Sequence, residues 1–193
     1  MNTRTQALAR EDASIQRNVA TINEQKARPS AIQAMASRLN ISPANLQKTL
    51  LDTVFKGAKE SEFAALIVVA NEYGLNPLTK EIYAFPAKGG GIVPVVSIDG
   101  WIRIANSHPM YDGSEQNFVY DDGKLFAVET TIYRKDRAHP IKKMEFLSEC
   151  KRGTDPWKME HRMLGHKGFI QAARYAFGFS GIHDEDDGEI IID

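Results

Sequence analysis

A single cysteine, Cys150, in 193 residues excludes an intrachain disulfide framework and suits a reducing compartment such as the cytoplasm. No apolar run approaches membrane length: the stretch from Phe63 to Ala70 is eight residues, and Asn71-Glu72 ends it. Met1 to Arg10 carries arginines without an apolar core, so a secretory signal is not expected. There is no Cys-x-x-Cys, and His161 and His166 lie five apart, a poor helical spacing for a metal pair. Gly89-Gly90-Gly91 lacks the Lys-Ser/Thr that follows a P-loop and opens no dinucleotide-binding helix. Asp99, Asp112, Asp121, Asp122 and the acids from Asp184 to Asp187 form no nuclease signature; Asp99 reads as a helix cap and Asp121-Asp122-Gly123 as turn chemistry. No cofactor, metal, catalytic residue or membrane association is therefore expected, and Cys150 reads as an inert thiol.

The formal charge of -1 hides an uneven distribution. Six of the 25 acids fall in the last eleven residues, so the remainder carries 24 bases against 19 acids. Between Arg134 and Arg174 there are eleven Lys or Arg and five acids, a surplus suited to a phosphate-facing surface. An ordinary solvated face beside a compensating tail has the same composition.

Along the chain, residues 1–30 read as a flexible polar arm, 31–182 as a folded core and 183–193 as an acidic tail. A short helix is expected over 31–40. Another begins at Pro43, capped by Ser42, with Leu46, Leu50 and Val54 on one face and Lys56-Gly57 at its end. A third runs from Glu60 to Tyr73 with Phe63, Leu66, Ile67 and Ala70 inward and Gly74 closing it. Two β-prone runs, 82–86 and 92–98, flank Lys88-Gly89-Gly90-Gly91; Pro86 and Pro94 argue for a hairpin that projects from the body. A short helix at 101–106, packing through Trp101, Ile102 and Ala105, then strands near 118–120, 125–133 and 141–146 follow. A long helix from Trp157 to Phe177, with Met163, Leu164, Ile170 and Tyr175 as packing residues, completes an α+β layout: helices, projecting hairpin, small antiparallel sheet, long C-terminal helix.

Binding a single strand needs cations for phosphates and aromatic faces for bases. On the long helix Lys158, Arg162, Lys167 and Arg174 are placed to line one wall of a phosphate channel. Arg134, Lys135 and Arg137 occupy a turn, Lys151 and Arg152 a loop, and Lys88 the hairpin tip. Trp101, Trp157, Tyr83 and Phe85 are the stacking candidates, with core packing the competing use of each.

Several ordered blocks carry a resemblance. They are Tyr73-Gly74-Leu75-Asn76-Pro77, Thr79 to Pro86, Gly91 to Val96, Asp99-Gly100-Trp101, Ile132 to Arg137 with His139-Pro140, Arg162-Met163-Leu164, His166-Lys167, and Ala173-Arg174 with Ala176 to Phe179. Over roughly residues 38–187 the chain resembles the phage single-strand annealing proteins, in the Bet (Red beta) branch related to RecT. The resemblance implies binding of single-stranded DNA and its annealed duplex intermediate in phage homologous recombination, without ATP or enzymatic chemistry. It implies subunits assembling side by side into rings or helical filaments, beside a phage exonuclease and a host single-strand-binding protein. It marks Arg162 as a DNA-contacting arginine, Trp157 as a tryptophan near the groove, and Lys135, Arg137, Lys167 and Arg174 as further contacts. Tyr83, Phe85, Gly89, Gly90, Gly91 and Val93 fall in a hairpin that holds nucleic acid and packs on the next subunit. Two departures stand out: the stretch 149–158 is shorter than in the lambda-type members, which bear an extra lysine loop there, and those members continue into a further helical domain. A passive single-strand-binding module and, more remotely, a metal-dependent nuclease are the competing functional classes.

Overall fold

A computed structural model of the chain describes Gln16 and residues 29–86 and 91–184. The chain divides into two compact units, residues 1–46 and 47–193. In the first, Ser30 and Gln33 form a reciprocal capping box that starts α1 (Ala31–Leu39), and Asn40 in the left-handed region ends it. Helix α2 (Pro43–Thr53) crosses the unit boundary; Ser42 Oγ accepts from Asn45 N at its start, as the Ser-Pro pair predicts.

In the second unit α3 (Glu60–Glu72) buries the four expected residues, Phe63, Leu66, Ile67 and Ala70. A 3-10 turn at Pro77–Thr79, capped by Asn76, leads to β1 (Ile82–Pro86) and β2 (Ile92–Val96), which pair with each other as a two-stranded sheet. Helix α4 (Ile98–Ser107) starts one turn earlier than expected. Ser97, not Asp99, is its cap, accepting from Gly100 N at 3.2 Å, and Asp99 sits in the first turn. Ile104 packs inward in place of Ile102, which is exposed.

Strands β3 (Tyr111–Asp121), β4 (Lys124–Arg134) and β5 (Ile141–Phe146) form an antiparallel sheet in that order. Asp122 and Gly123, both at positive φ, make the two-residue turn between β3 and β4. A register shift between Val119 and Tyr120 leaves Phe126 without a strand partner. After the short α5 (Leu147–Cys150), a 3-10 turn at Asp155–Lys158 holds Trp157 and Lys158. Only then does α6 (Glu160–Phe177) begin, so neither residue lies on the long helix. Leu164 and Ile170 are buried as expected, whereas Tyr175 is 65% exposed, with Lys143 Nζ 4.1 Å from its ring centre. The architecture is α+β.

Helix α6 packs on β4 through close approach at a glycine. A Cβ at Gly168 would stand 2.6 Å from Thr130 Oγ1 and 2.8 Å from Val128 Cγ1. Nearby, Gln116 Nε2 on β3 donates to the Gly165 carbonyl at 2.6 Å and to Thr130 Oγ1 at 3.1 Å, fixing the helix on the sheet.

Past Gly178 the chain doubles back as a strap. Phe179 packs against Tyr73 and Trp101, and Ser180 exchanges hydrogen bonds with the Tyr73 hydroxyl. His183 bridges Val95 in parallel, its carbonyl accepting from Val96 N at 2.8 Å. Asp184 then meets Lys167 of α6 at 2.8 Å, both buried. Backbone pairing and a buried ion pair thus hold His183 and Asp184, the first two residues of the expected acidic tail, against the body.

Gly168→Ala should destabilise the protein although alanine favours a helix. Overpacking costs about 1–3 kcal/mol against a propensity gain of at most about 1 kcal/mol. A lower urea midpoint at unchanged m value is expected, while Gly153→Ala, with nothing within 4 Å of its Cβ, should be nearly neutral. An unchanged midpoint for Gly168→Ala would show that α6 can lift from the sheet freely.

Candidate nucleic-acid interface

Helix α6, strand β3 and helix α4 enclose an open cleft of about 710 Å³. Ile98 and Ile102 line it from α4; Tyr111, Ser114, Gln116 and Phe118 from β3; His161, Arg162, His166 and Phe169 from α6. The strand alternation that sends Val128 and Ile132 of β4 toward α6 also sends Ser114, Gln116 and Phe118 of β3 to that side, by register. From Tyr111 to Phe118 the strand runs about 23 Å at the usual rise, so the cleft is an elongated groove.

Arg162 stands between this groove and a second hollow of about 460 Å³ shared with Lys158, Met159, Glu160 and His161. Its side chain is exposed, with Nη1 3.7 Å from Met159 Sδ and no carboxylate within ion-pair distance among the described residues. Lys158 pairs with Asp155 at 2.7 Å, but both are largely exposed. Such a pair contributes roughly 0–1 kcal/mol, so a phosphate can replace the carboxylate. Lys151 reaches Glu160 at 2.6 Å on the same flank. Beside Arg162 an aromatic wall takes shape: the His161 ring lies 5.5 Å from Phe118 and 5.9 Å from Tyr120, and His161 Nε2 is 3.0 Å from the Tyr120 hydroxyl.

At the far end of β3, Tyr111 pairs with Arg134, and Lys135 N donates to the Met110 carbonyl. Arg134 is committed to the fold: it forks onto Asp136, donates to the Ala176 carbonyl and lies over the Phe177 ring. That hydrogen bond and charge hold the Asp136 carboxyl below its ordinary range. Lys135 and Arg137 remain exposed in the turn. Arg162 and this turn thus mark opposite ends of the strand that floors the groove.

Other sequence candidates fall elsewhere. Lys167 is buried in its ion pair with Asp184 and does not present its ammonium to solvent. Arg174 is half-buried on the same stripe of α6 as Lys167, about 120° round the axis from Arg162. The four cations therefore do not form one wall. Trp157 is 1% exposed and packs with Val128, Cys150 and Leu164, and Trp101 is fully buried, so neither offers a face to a base. Arg152 is half-buried, its Nη1 donating to the Glu149 carbonyl. On the hairpin Tyr83 and Phe85 are half-buried and stack edge to face, and Gly91 and Val93 are half-buried. Lys88, Gly89 and Gly90 lie outside the described residues. The groove's aromatic residues, Tyr111, Phe118 and Phe169, and Tyr120 beside His161 were missed by sequence reasoning; alternation through Phe118 and Tyr120 was the available signal.

Among the described residues no group of three or more His, Cys, Asp or Glu is placed to hold a metal ion. No helix there is long and apolar enough to cross a membrane. What the groove can do chemically is neutralise anionic oxygens at its ends and place aromatic surface between them. The sequence profile of the RecT family matches residues 15–192. The chain belongs to the RecT family. A relative, the "Recombination protein bet" of Escherichia phage lambda, is 48% identical over 166 residues, covering 80% of this chain and 62% of the relative. This RecT-family chain thus spans less than two thirds of that relative's length.

Cys150 stands apart from the groove chemistry. Burial, then the negative charge of Glu145, pushes its thiol up to about 12, and burial raises the Glu145 carboxyl as well. The folded state holds the thiol proton longer than the unfolded chain, so this contribution to stability falls as pH rises from about 8.5 toward about 12. At pH 8 iodoacetamide should modify native Cys150 more than about tenfold slower than the urea-unfolded chain, since the thiolate is the nucleophile. Equal rates would show the thiol to be exposed and reactive.

Proposed function

We propose that this RecT-family chain binds single-stranded DNA along its phosphate backbone and promotes annealing of complementary strands in phage recombination. It does so as an assembly of many copies, without nucleotide hydrolysis and without acting as an enzyme. The observation that carries this reading is Arg162: an exposed guanidinium with no carboxylate partner among the described residues, between two hollows and beside the Phe118, His161 and Tyr120 rings. Guanidinium forks suit phosphate oxygens, and ring faces suit bases of any identity. A strand lying along β3 would meet Arg162, with Lys158 and Lys151 nearby, at one end and Lys135 and Arg137 at the other. Sequence selectivity would then come from pairing between strands, with the protein contacting backbone.

The lambda relative is a recombination protein by name, which supports the recombination setting. The projecting hairpin, through Tyr83, Phe85, Gly91 and Val93 with the tip residues Lys88, Gly89 and Gly90, is the element assigned to nucleic acid and the neighbouring copy. A phage exonuclease that exposes single strands and the host single-strand-binding protein are the expected partners in the bacterial cytoplasm.

Two complementary labelled oligonucleotides, mixed with the protein in the absence of ATP, test the reading. Duplex formation should be faster than without protein. Binding with no acceleration would make the chain a passive single-strand-binding protein, and no binding would sink the reading altogether. Arg162→Ala should weaken binding by about tenfold or more, the scale of a hydrogen bond to a charged group. Its salt dependence should become shallower by about 0.7 in log–log slope for each phosphate lost. Unchanged affinity and slope in a folded variant would remove Arg162 from the interface.

A further inference from the structure

The Lys167–Asp184 pair lies directly behind the groove. A cavity of about 20 Å³ beside it is lined by Met163, His166, Ile98 and Val96, and two of these, Ile98 and His166, also line the groove. His166 precedes Lys167 on α6, and Met163 follows Arg162. Asp184 reaches α6 from the strap, which His183 fastens to β2, and β2 passes through the Ser97 cap into α4. The pair therefore closes a loop of contacts from α6 through the strap and β2 to α4. Those two helices are the ones that face each other across the groove.

Resting on the reading of the groove as a single-stranded DNA site, we propose that Asp184 is a positioning residue for that site. Its carboxylate holds Lys167, and through it the turn of α6 bearing His166 and Arg162, at a fixed distance from α4. An acid beside a polyanion site thus strengthens binding. Simple electrostatics predicts the reverse: removing a negative charge should help DNA bind, and freeing Lys167 should add a phosphate contact. The burial of both groups decides between these accounts, because a charge at that depth needs its partner more than the solvent does.

The test is fluorescence anisotropy of a labelled single-stranded oligonucleotide against the full chain, over a salt series, with the folded state checked by circular dichroism. Wild-type protein must bind; if it does not, the functional reading fails, separately from this inference. Asp184→Asn should weaken binding about tenfold, with the salt slope unchanged. Tighter binding with a slope steeper by about 0.7 would mean that Lys167, once released, reaches a phosphate, and would overturn the proposal. A folded Asp184→Asn variant that binds as wild type would also overturn it, reducing the pair to a stabilising contact. If Asp184→Asn does not fold, Asp184→Glu decides, since it keeps both charges and lengthens the link by one methylene. An affinity loss of about threefold or more at unchanged slope and near-native melting temperature supports positioning. Unchanged affinity refutes it.

Discussion

An ammonium group enclosed by packed side chains must either lose its proton or find an anion, and Lys167 has Asp184 at 2.8 Å. The two are seventeen residues apart, with the last ten residues of α6 between them and the strap. For the pair to form, the chain must reverse at Gly178, which takes the left-handed conformation, and return along the body. On that path Phe179 fills the space between Tyr73 and Trp101, Ile182 is fully buried, and His183 adds backbone pairing at β2. Helices α3, α4 and α6 and the hairpin base are joined through this one segment. Apolar burial supplies most of the favourable free energy. The ion pair specifies which arrangement of those apolar surfaces leaves no buried charge alone.

The same pairing rule sorts the cations of the basic stretch. Lys167 is matched by a buried acid and Arg134 by a bidentate carboxylate, so both serve the fold. Lys151 and Lys158 are matched by acids at the surface, where water screens the attraction and exchange is cheap. Among the described residues Arg162 has a thioether within reach and no carboxylate. The formal surplus of positive charge in this region is therefore smaller as seen by a ligand than a residue count implies.

Much of the fold was legible because its local signals agree with its tertiary roles. Helix α3 reads from Phe63, Leu66, Ile67 and Ala70, and the hairpin from paired β-prone runs with Pro94 on a strand that has few neighbours. Strand β3 was read too short because Asp112 to Asn117 is polar: it is a sheet-edge strand, exposed over most of that length, so no apolar alternation marks it. Trp157 and Lys158 were assigned to the long helix because nothing local distinguishes a 3-10 turn from a first helical turn after Pro156. The site was half legible. Arg162 stood out by its block of residues, but Lys167, one turn and a fraction away, carries no local sign that a distant Asp184 encloses it. The glycine of Asp99-Gly100-Trp101 has a reason visible only in three dimensions: a Cβ there would stand 2.3 Å from the Glu81 carbonyl oxygen.

A single copy that held DNA only through Arg162 and a few weakly paired lysines would be a modest ligand at physiological salt, where each phosphate contact is discounted by the counterions already present. Repetition changes that arithmetic. When copies line up, a strand held by one is presented to the next at high effective concentration, and weak contacts sum without any of them becoming tight. Weak individual contacts also suit annealing, because a strand bound too firmly at each step could not shift until its bases find their complement. On this view the sparse cations of the groove are matched to the proposed activity. The buried Lys167 contributes by fixing where Arg162 stands, while a more basic groove would bind single strands better and anneal them worse.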